Sequence, residues 1–438
     1  MRIAVIGGGP AGMAAAVTAR EQGVEEVILL ERHSYLGGVL PQCIHNGFGV
    51  KIYDRDLTGG EYAWLWKQKT EDAGVEVMLD TTVLSVSHED KKWGVKCVSA
   101  VSGACEIEAD ALIVATGCRE RTLAQLHIPG SRPAGIFTAG SAQLMMNVRN
   151  YLPGRSTVIL GSGDIGLIMA RRMTLEGIKV RLVLGQESTG LARNIVQCVE
   201  DYDIPMRYGW TVVSTHGYER LTGVSVAPFG DDGLPDLSRK EYIRCDTLLV
   251  AAGLIPELEV CGDLAADPEG CRREGLFICG NAAGVHDLVD NVTWEGMMTG
   301  ADAAAFLGKS TGAPVDVPEG MASEKSGRHG NMICTVCPQG CVMQVEREPF
   351  SISGNRCEKG VAFAKQELED PRRVLTAVVK AGDSIVPVRT DRGIEKEKIS
   401  GVMKAVKRIA VCRPVEPGQI VAKNIAGTGA DLIATWYA

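Results

Sequence analysis

Two glycine-rich turns, Gly7-Gly8-Gly9-Pro10-Ala11-Gly12 and Gly161-Ser162-Gly163-Asp164-Ile165-Gly166, constrain this chain more than any other feature. Each follows a short apolar run and opens a stretch of helical composition. Such a turn is needed where backbone amides at a helix start must approach an anion closely. Any side chain there would block the approach, and the helix dipole favours negative charge. Two such turns on one chain predict two dinucleotides.

The surroundings of the first turn agree with it. Arg2 to Ile6 reads as a buried strand, Met13 to Gln22 as a helix, and Val27 to Leu30 as a second strand ending at Glu31, 24 residues after Gly7. That is near the distance at which a βαβ unit places a carboxylate on a ribose hydroxyl. Gly7, Gly9, Ala11, Gly12 and Glu31, with Arg32 and Gly38 beside them, are the predicted cofactor contacts. The second turn has the same frame, with strands at Thr157 to Leu160 and Val180 to Leu184, and Gly161, Gly163, Asp164 and Gly166 are its predicted contacts. Here the acid is missing. The same count of 24 from Gly161 lands on Gly185, and the nearest carboxylate is Glu187. A nicotinamide dinucleotide is the expected occupant, but NAD and NADP are not separated, since no Arg pair replaces the acid. A Rossmann-like domain that has lost its ligand stays open as the plainer alternative.

With 438 residues and 45% hydrophobic content, the length prior of roughly 100–200 residues per domain suggests three domains. The 52 glycines and 5% aromatic content suit an α/β nucleotide-binding protein rather than a β-sandwich. The net charge of -8 is unevenly placed: residues 1–323 carry 28 Lys and Arg against 41 Asp and Glu, and residues 324–438 carry 18 against 13. An acidic body with a basic tail results, and no basic tract is dense enough for nucleic acid. No run of about eighteen apolar residues offers a membrane span. A first strand starting at Arg2 leaves no room for a secretory signal, so a cytoplasmic protein is expected. Fourteen cysteines then point to metal or redox use in a reducing compartment rather than to a disulfide framework.

Asp110 to Gly117 and Asp246 to Gly253 each read as a buried strand ending in a backbone turn that closes one nucleotide unit, which adds Thr116, Gly117 and Gly253 to the predicted contacts. Gly275 to Asn281 repeats the pattern before a helix from about Val292 to Leu307. This order resembles the flavoproteins of the pyridine nucleotide-disulfide oxidoreductase class over residues 1 to about 310. The resemblance implies an α/β fold of two Rossmann-like domains, one inserted in the other. The FAD-binding domain would comprise 1–150 and 256–323, interrupted by an NAD(P)-binding domain at 151–255. In that family the late glycine motif ends in an Asp that holds the FAD ribityl chain. Here Gly280 is followed by Asn281, whose amide still hydrogen-bonds a hydroxyl. Gly135-Ile-Phe-Thr-Ala-Gly-Ser-Ala-Gln143 with Pro153-Gly154 is similar to the flavoprotein subunits of hydrogen cyanide synthase, of opine and hydroxyproline dehydrogenases, and of flavoproteins found beside anaerobic glycerol-3-phosphate dehydrogenases. That likeness implies a partner, a second FAD dehydrogenase subunit. Residues 312–330 lack apolar periodicity and read as a linker.

Among body cysteines, Cys43 in Gly37-Gly38-Val-Leu-Pro-Gln-Cys-Ile-His45 follows Glu31 where disulfide reductases place redox cysteines beside the flavin. It stands alone, so a dithiol mechanism is unsupported. A single redox thiol and a packing cysteine remain the two readings, and His45 is a candidate proton donor. The stronger signal is Cys334-Thr-Val-Cys337-Pro-Gln-Gly-Cys341, completed by Cys357. Four thiolates in a three-plus-one spacing fit a [4Fe-4S] cluster better than tetrahedral Zn, although both stay open. The other cysteines, Cys97, Cys105 and Cys261 among them, show no ligand spacing. Residues 330–438 resemble a small domain family of glycerol operons, and the cysteines resemble the N-terminal [4Fe-4S] segment of molybdopterin oxidoreductases. A small α+β cysteine-cluster domain at 324–438 follows.

Nicotinamide exchanges two electrons at once, a cluster takes one, and flavin does both. The expected function is an FAD- and NAD(P)-dependent oxidoreductase that passes electrons through a cluster as part of a dehydrogenase complex. The alternatives are a stand-alone NAD(P)H reductase using Cys43 with a structural zinc tail, and a flavin-binding assembly module without nicotinamide activity.

Overall fold

The computed structural model describes residues 1–266, 268–311 and 330–437. The chain divides into two compact units, Met1–Arg119 with Leu254–Met321 and Glu120–Gly253 with Ala322–Ala438. The linker expected at 312–330 lies, except for Gly330, outside the described residues.

The first unit is built on a five-stranded parallel sheet in the order Leu276–Ile278, Ala111–Val114, Arg2–Ile6, Glu26–Leu30, Glu76–Met78. Its middle strands are continuous apolar runs because both faces are covered. Helix α1 (Pro10–Glu21) packs against α7 (Val289–Phe306), and small residues make the contact. A Cβ added to Gly296 or Gly300 would lie 2.3 Å from the carbonyl oxygen of Ala11 or Ala15. Helix α2 (Gly59–Asp72) starts on a capping box, with Thr58 and Glu61 exchanging side-chain-to-backbone bonds. Helix α6 spans Pro268–Arg273. Between Glu76–Met78 and Ala111–Val114 the chain makes an antiparallel sheet of Thr81–Glu89, Lys92–Ser99 and Gly103–Ala109. Alternate residues of its central strand, Trp93, Val95 and Cys97, enter the core beside Leu112, Val114 and Leu276.

The second unit repeats this layout. Its parallel sheet runs Ile136–Thr138, Thr247–Val250, Ser156–Leu160, Lys179–Gly185, Met206–Tyr208, with a three-stranded antiparallel excursion at Trp210–Gly217, Leu221–Pro228 and Glu241–Arg244. Helices α3 (Ala139–Asn147), α4 (Asp164–Leu175) and α5 (Ala192–Cys198) complete it. The division falls at 119/120, not at 150. Ile136 pairs with Leu248 and Phe137 with Leu249, which ties residues 120–150 to the second sheet.

The C-terminal segment has cores of its own. An antiparallel sheet of Met332–Ile333, Val342–Glu346 and Ser351–Ser353 precedes α8 (Glu358–Glu369). A five-stranded sheet in the order Ala410–Val411, Thr376–Ala381, Ser384–Thr390, Leu432–Ala434, Ile420–Ala422 carries α9 (Ile399–Val406). Val379, Val386, Val402, Met403 and Leu432 fill the second core, and Leu175 of α4 packs against it. Charge holds the same junction. Arg373, 4% exposed, bonds Asp201 at 2.6 Å and Glu367 at 2.7 Å; Lys396 reaches Asp201 at 2.7 Å and Lys407 reaches Glu176 at 3.0 Å. Burial opposes the charge of Asp201, yet the Arg373 and Lys396 hydrogen bonds hold its carboxyl below the ordinary range. The segment is therefore seated on the nucleotide domain rather than appended to it.

Candidate functional site

In the first unit the glycine turn begins where strand Arg2–Ile6 ends. Gly7 has φ +109°, and a Cβ there would lie 2.4 Å from the Ala115 carbonyl oxygen; one on Gly12 would lie 1.8 Å from that of Gly7. Both positions demand glycine. Gly9, the N-cap of α1, faces open space with no atom within 4 Å of an added Cβ. Helix α1 has Pro10 at its start, no capping side chain and no acid in its first turn. Its leading N–H groups are thus available to an anion.

Glu31, 5% exposed, is aimed at this turn: its Oε2 accepts from Gly8 N and its Oε1 from His33 N, both at 2.8 Å. Each oxygen keeps a lone pair for a hydroxyl. An added Cβ on Gly38, at φ +57°, would lie 3.1 Å from Gly9 Cα. An added Cβ on Gly280 would lie 2.7 Å from Ala11 Cβ. Residues 7–12, 31, 38 and 280 therefore converge on one helix start. Thr116 and Gly117 follow strand Ala111–Val114, where the Thr116 hydroxyl donates to the Glu257 carbonyl. Arg32 is exposed.

Asn281 makes two bonds within the protein, its Oδ1 accepting from His286 N at 3.0 Å and its Nδ2 donating to Cys118 Sγ at 3.6 Å. His286 Nε2 lies 2.6 Å from Glu295 Oε2, which also accepts from Gly280 N at 3.1 Å. This His–Glu pair, tied to the last glycine turn, escaped the sequence reading. Its members are nine residues apart across a turn and a helix start, and neither has a motif of its own. Further along, Tyr53 OH, Asp290 Oδ2, Asn291 Oδ1 and Trp294 Nε1 are buried without a hydrogen-bond partner among the described residues. Buried polar atoms rarely go unpaired, so an orphan group of this size around the start of α7 fits a site completed by a polar ligand. Asp290 is 1% exposed, and burial raises its carboxyl above the ordinary range. The open helix start and these orphans both fit FAD.

Cys43 gains no support as a redox thiol. It is 8% exposed, its sulfur lies 3.5 Å from the Val39 carbonyl, and the start of α2 closes over it. Desolvation pushes the thiol up to about 12, which suppresses the thiolate. His45 is half-buried with its ring 5.0 Å from that of Phe48. Packing is the role this geometry describes for Cys43.

The second turn has the same backbone but different occupants. A Cβ on Gly161, at φ +127°, would lie 2.1 Å from the Ala251 carbonyl oxygen, and one on Gly166 would lie 2.3 Å from that of Gly161. Gly163 caps α4, and the carbonyl of Gly253, at φ +99°, accepts from Arg121 N at 3.0 Å. Unlike α1, however, α4 carries an acid in its first turn. Asp164 Oδ1 accepts from Leu191 N at 2.7 Å and Asn194 Nδ2 at 2.8 Å. Gly190 N donates to Ser162 O at 3.1 Å, and Ser162 Oγ donates to Glu187 O at 2.6 Å. Residues 187–191 are thus clasped back onto the turn. Asp164, expected to meet the cofactor, meets this loop.

The cysteine segment sits beside that clasp. Cys334 N donates to Cys341 O at 2.9 Å across the hairpin; both side chains are buried with Met343 and Ala364, Cys337 is half-buried, and Cys357 is the exposed N-cap of α8. Burial first, with repulsion from the other three sulfurs adding to it, raises the Cys334 thiol to about 11. Among the described residues no three metal-binding side chains are gathered closely enough to hold an ion. The donor set fits a thiolate-ligated metal by its chemistry. An added Cβ on Gly340 would lie 3.3 Å from Ala192 Cβ, and Gln197 Nε2 lies 3.5 Å from Thr335 O, so the cysteine loop rests on α5. No helix among the described residues is long and apolar enough to cross a membrane.

The family described as pyridine nucleotide-disulphide oxidoreductase matches residues 1–296, and a family described as a protein of unknown function (DUF1667) matches residues 358–436. The four-cysteine stretch lies between the two matches. Hydrogen cyanide synthase subunit HcnB of Pseudomonas protegens is 29% identical over 58% of this chain and 57% of its own length. An opine oxidase subunit of Agrobacterium tumefaciens is 31% identical over 41% of this chain and 36% of its own. The chain thus spans under two thirds of either relative. Thioredoxin reductase of T. acidophilum shares the fold over 69% of this chain and 97% of its own, with a TM-score of 0.56 at 18% identity.

Proposed function

The chain belongs to the pyridine nucleotide-disulphide oxidoreductase family, and on that premise we propose that it is the electron-transfer component of a dehydrogenase complex, linking NAD or NADP, FAD and a [4Fe-4S] cluster. Its partner is a second FAD subunit that oxidises glycerol 3-phosphate or a similar hydroxy or amino acid. The names of the hydrogen cyanide synthase and opine oxidase relatives, each one subunit of a larger enzyme, support a partner subunit.

One observation carries the reading: the helix start at Gly9, open and free of acid, faced by Glu31 with spare acceptor capacity on both oxygens. Gly7, Gly9, Gly12 and Gly38 would let the pyrophosphate of FAD reach the amides of α1, Glu31 would accept from a ribose hydroxyl, and Asn281 would offer its remaining donor and acceptor to the ribityl chain. Bound flavin supplies the exchange between two-electron and one-electron transfer, and a cluster on Cys334, Cys337, Cys341 and Cys357 would supply a one-electron acceptor. Within the protein, Glu295 orients the His286 ring, which is the group placed to hold or pass a proton beside Asn281. Gly161, Gly163 and Gly166 would hold the nicotinamide dinucleotide once residues 187–191 yield.

The test is the visible spectrum with iron, sulfide and zinc content of chain purified without oxygen, followed by anaerobic addition of NADH and NADPH. Flavin bands that bleach, with about four irons and four sulfides per chain, are expected. Flavin with one zinc and no iron would refute the cluster. Flavin that neither nucleotide bleaches would refute the nicotinamide step.

A further inference from the structure

Cys97 and Cys105 stand directly opposite one another in the hairpin of strands Lys92–Ser99 and Gly103–Ala109. Cys97 Sγ lies 3.5 Å from the Cys105 carbonyl oxygen and Cys105 Sγ lies 3.6 Å from that of Cys97. The shared register and the reciprocal contacts put both sulfurs on one face of the sheet. Opposed residues of an antiparallel pair have Cα atoms about 4.5–5.5 Å apart, inside the range of about 4.4–6.8 Å that a disulfide bridges. The backbone is already at bonding distance.

Access differs between the two. Cys97 is 2% exposed, whereas Cys105 is half-buried at the margin of the same apolar cluster. A cavity of about 580 Å³, lined in part by Ser85, Val86, Cys261 and Leu264, borders that cluster. The partial exposure of Cys105 leaves its sulfur the one a small reagent meets first, while Cys97 lies behind it.

We propose that Cys97 and Cys105 form a reversible cross-strand disulfide, making this hairpin a modification site for low-molecular-weight disulfides. Cys105 gives up its proton to solvent and attacks one sulfur of R–S–S–R; the S–S bond breaks and RS⁻ leaves, taking up a proton. Cys97 then loses its proton and attacks Cys105 Sγ, the Cys97–Cys105 bond forms, and the second RS⁻ leaves and is protonated. In sum, two protein thiols lose two electrons and two protons, and R–S–S–R becomes two RSH. Burial, with the Cys105 thiol beside it, pushes the Cys97 thiol up to about 12, which assigns the first attack to Cys105. The step uses neither the dinucleotide sites nor the four-cysteine segment.

The experiment treats the full chain with oxidised glutathione, alkylates the remaining thiols, and maps peptides by mass spectrometry under non-reducing conditions. Residues 98–104 hold no Lys, Arg, Asp, Glu or aromatic residue, so a single peptide carrying both cysteines, unalkylated and two hydrogens lighter than its dithiol form until a dithiol is added, is expected. The Cys97→Ser chain should stop at a mixed disulfide on Cys105, and the Cys105→Ser chain should leave Cys97 unmodified, each at wild-type circular dichroism. Wild-type chain in which both thiols are recovered alkylated, or in which glutathione stays on Cys105, would overturn the proposal.

Discussion

Replacing Arg373 with Met tests whether the C-terminal segment is held by charge at its junction with α4 and α5. Arg373 uses all its donors: Nε and Nη2 reach Asp201 at 2.6 and 3.3 Å, Nη1 and Nη2 reach Glu367 at 2.7 Å, and Nη1 also reaches the Arg372 carbonyl at 2.9 Å. Methionine keeps much of the packing but strands two carboxylates. Breaking one side of a buried pair costs about 3–5 kcal/mol. The lower end applies here, because Lys396 still holds Asp201 and Glu367 is a fifth exposed. A loss of about 3 kcal/mol corresponds to roughly 150-fold faster opening of the segment, at 1.4 kcal/mol per tenfold. Native-state hydrogen exchange reads this directly, since amides of strand Thr376–Ala381 are protected only while the segment stays closed. Acid should mimic the substitution. The Asp201 carboxyl is depressed in the folded chain, so its stabilisation is complete above about pH 4 and disappears as pH falls through the folded value below that. Exchange in Thr376–Ala381 that changes less than threefold in Arg373→Met would refute the argument.

Three further outcomes follow from the geometry. Gly300→Val places a branched side chain against the Ala15 carbonyl, so overpacking of about 1–3 kcal/mol or more should lower the flavin-to-protein ratio; a fully flavinylated, equally heat-stable variant would contradict the close approach. Cys43, with its thiol near 12, should alkylate about a thousandfold more slowly at pH 8 than the exposed Cys412, as measured by timed quenching and peptide mass. Asp164→Asn removes a negative charge from the start of α4 while keeping an acceptor for Leu191, so the nicotinamide dinucleotide should bind up to about fivefold more tightly, given about 0.3–1 kcal/mol for a charge at a helix end. Weaker binding in a calorimetric titration would show that the carboxylate contacts the cofactor after all.

What could be read from the sequence is what short range dictates. An apolar run, a glycine turn and a helix are neighbours in the chain, so both βαβ units and the place of Glu31 were legible from their spacing. Residues that act through distant partners were not. Ile136–Thr138 is a strand of three residues whose membership is fixed by Thr247–Val250, more than a hundred positions later, which moved the division from 150 to 119. Asp164 looked like a cofactor contact because nothing local reveals the loop that returns to it. Cys97 and Cys105 lie eight apart, a separation that is no ligand spacing, and only the hairpin register makes them partners. His286 and Glu295 meet because α7 begins with Val289, between them.

The glycine and alanine contact between α1 and α7 also sets an order of events during synthesis. The second nucleotide sheet has its last strand by Val250, so that sheet has all its strands while the ribosome is still making the rest of the chain. The first sheet cannot close so early: its edge strand ends at Ile278 and α7 at Phe306, nearly 300 residues after α1. Closing so long a loop costs little more entropy than closing one half its length, but it must wait roughly fifteen seconds or more at 5–20 residues per second. In that interval α1 offers alanines and glycines rather than large apolar side chains on the face that α7 later covers. The half-made molecule therefore waits for its closing helix with little to attract a wrong neighbour, and cofactor capture at the first turn belongs to the last stage of its birth.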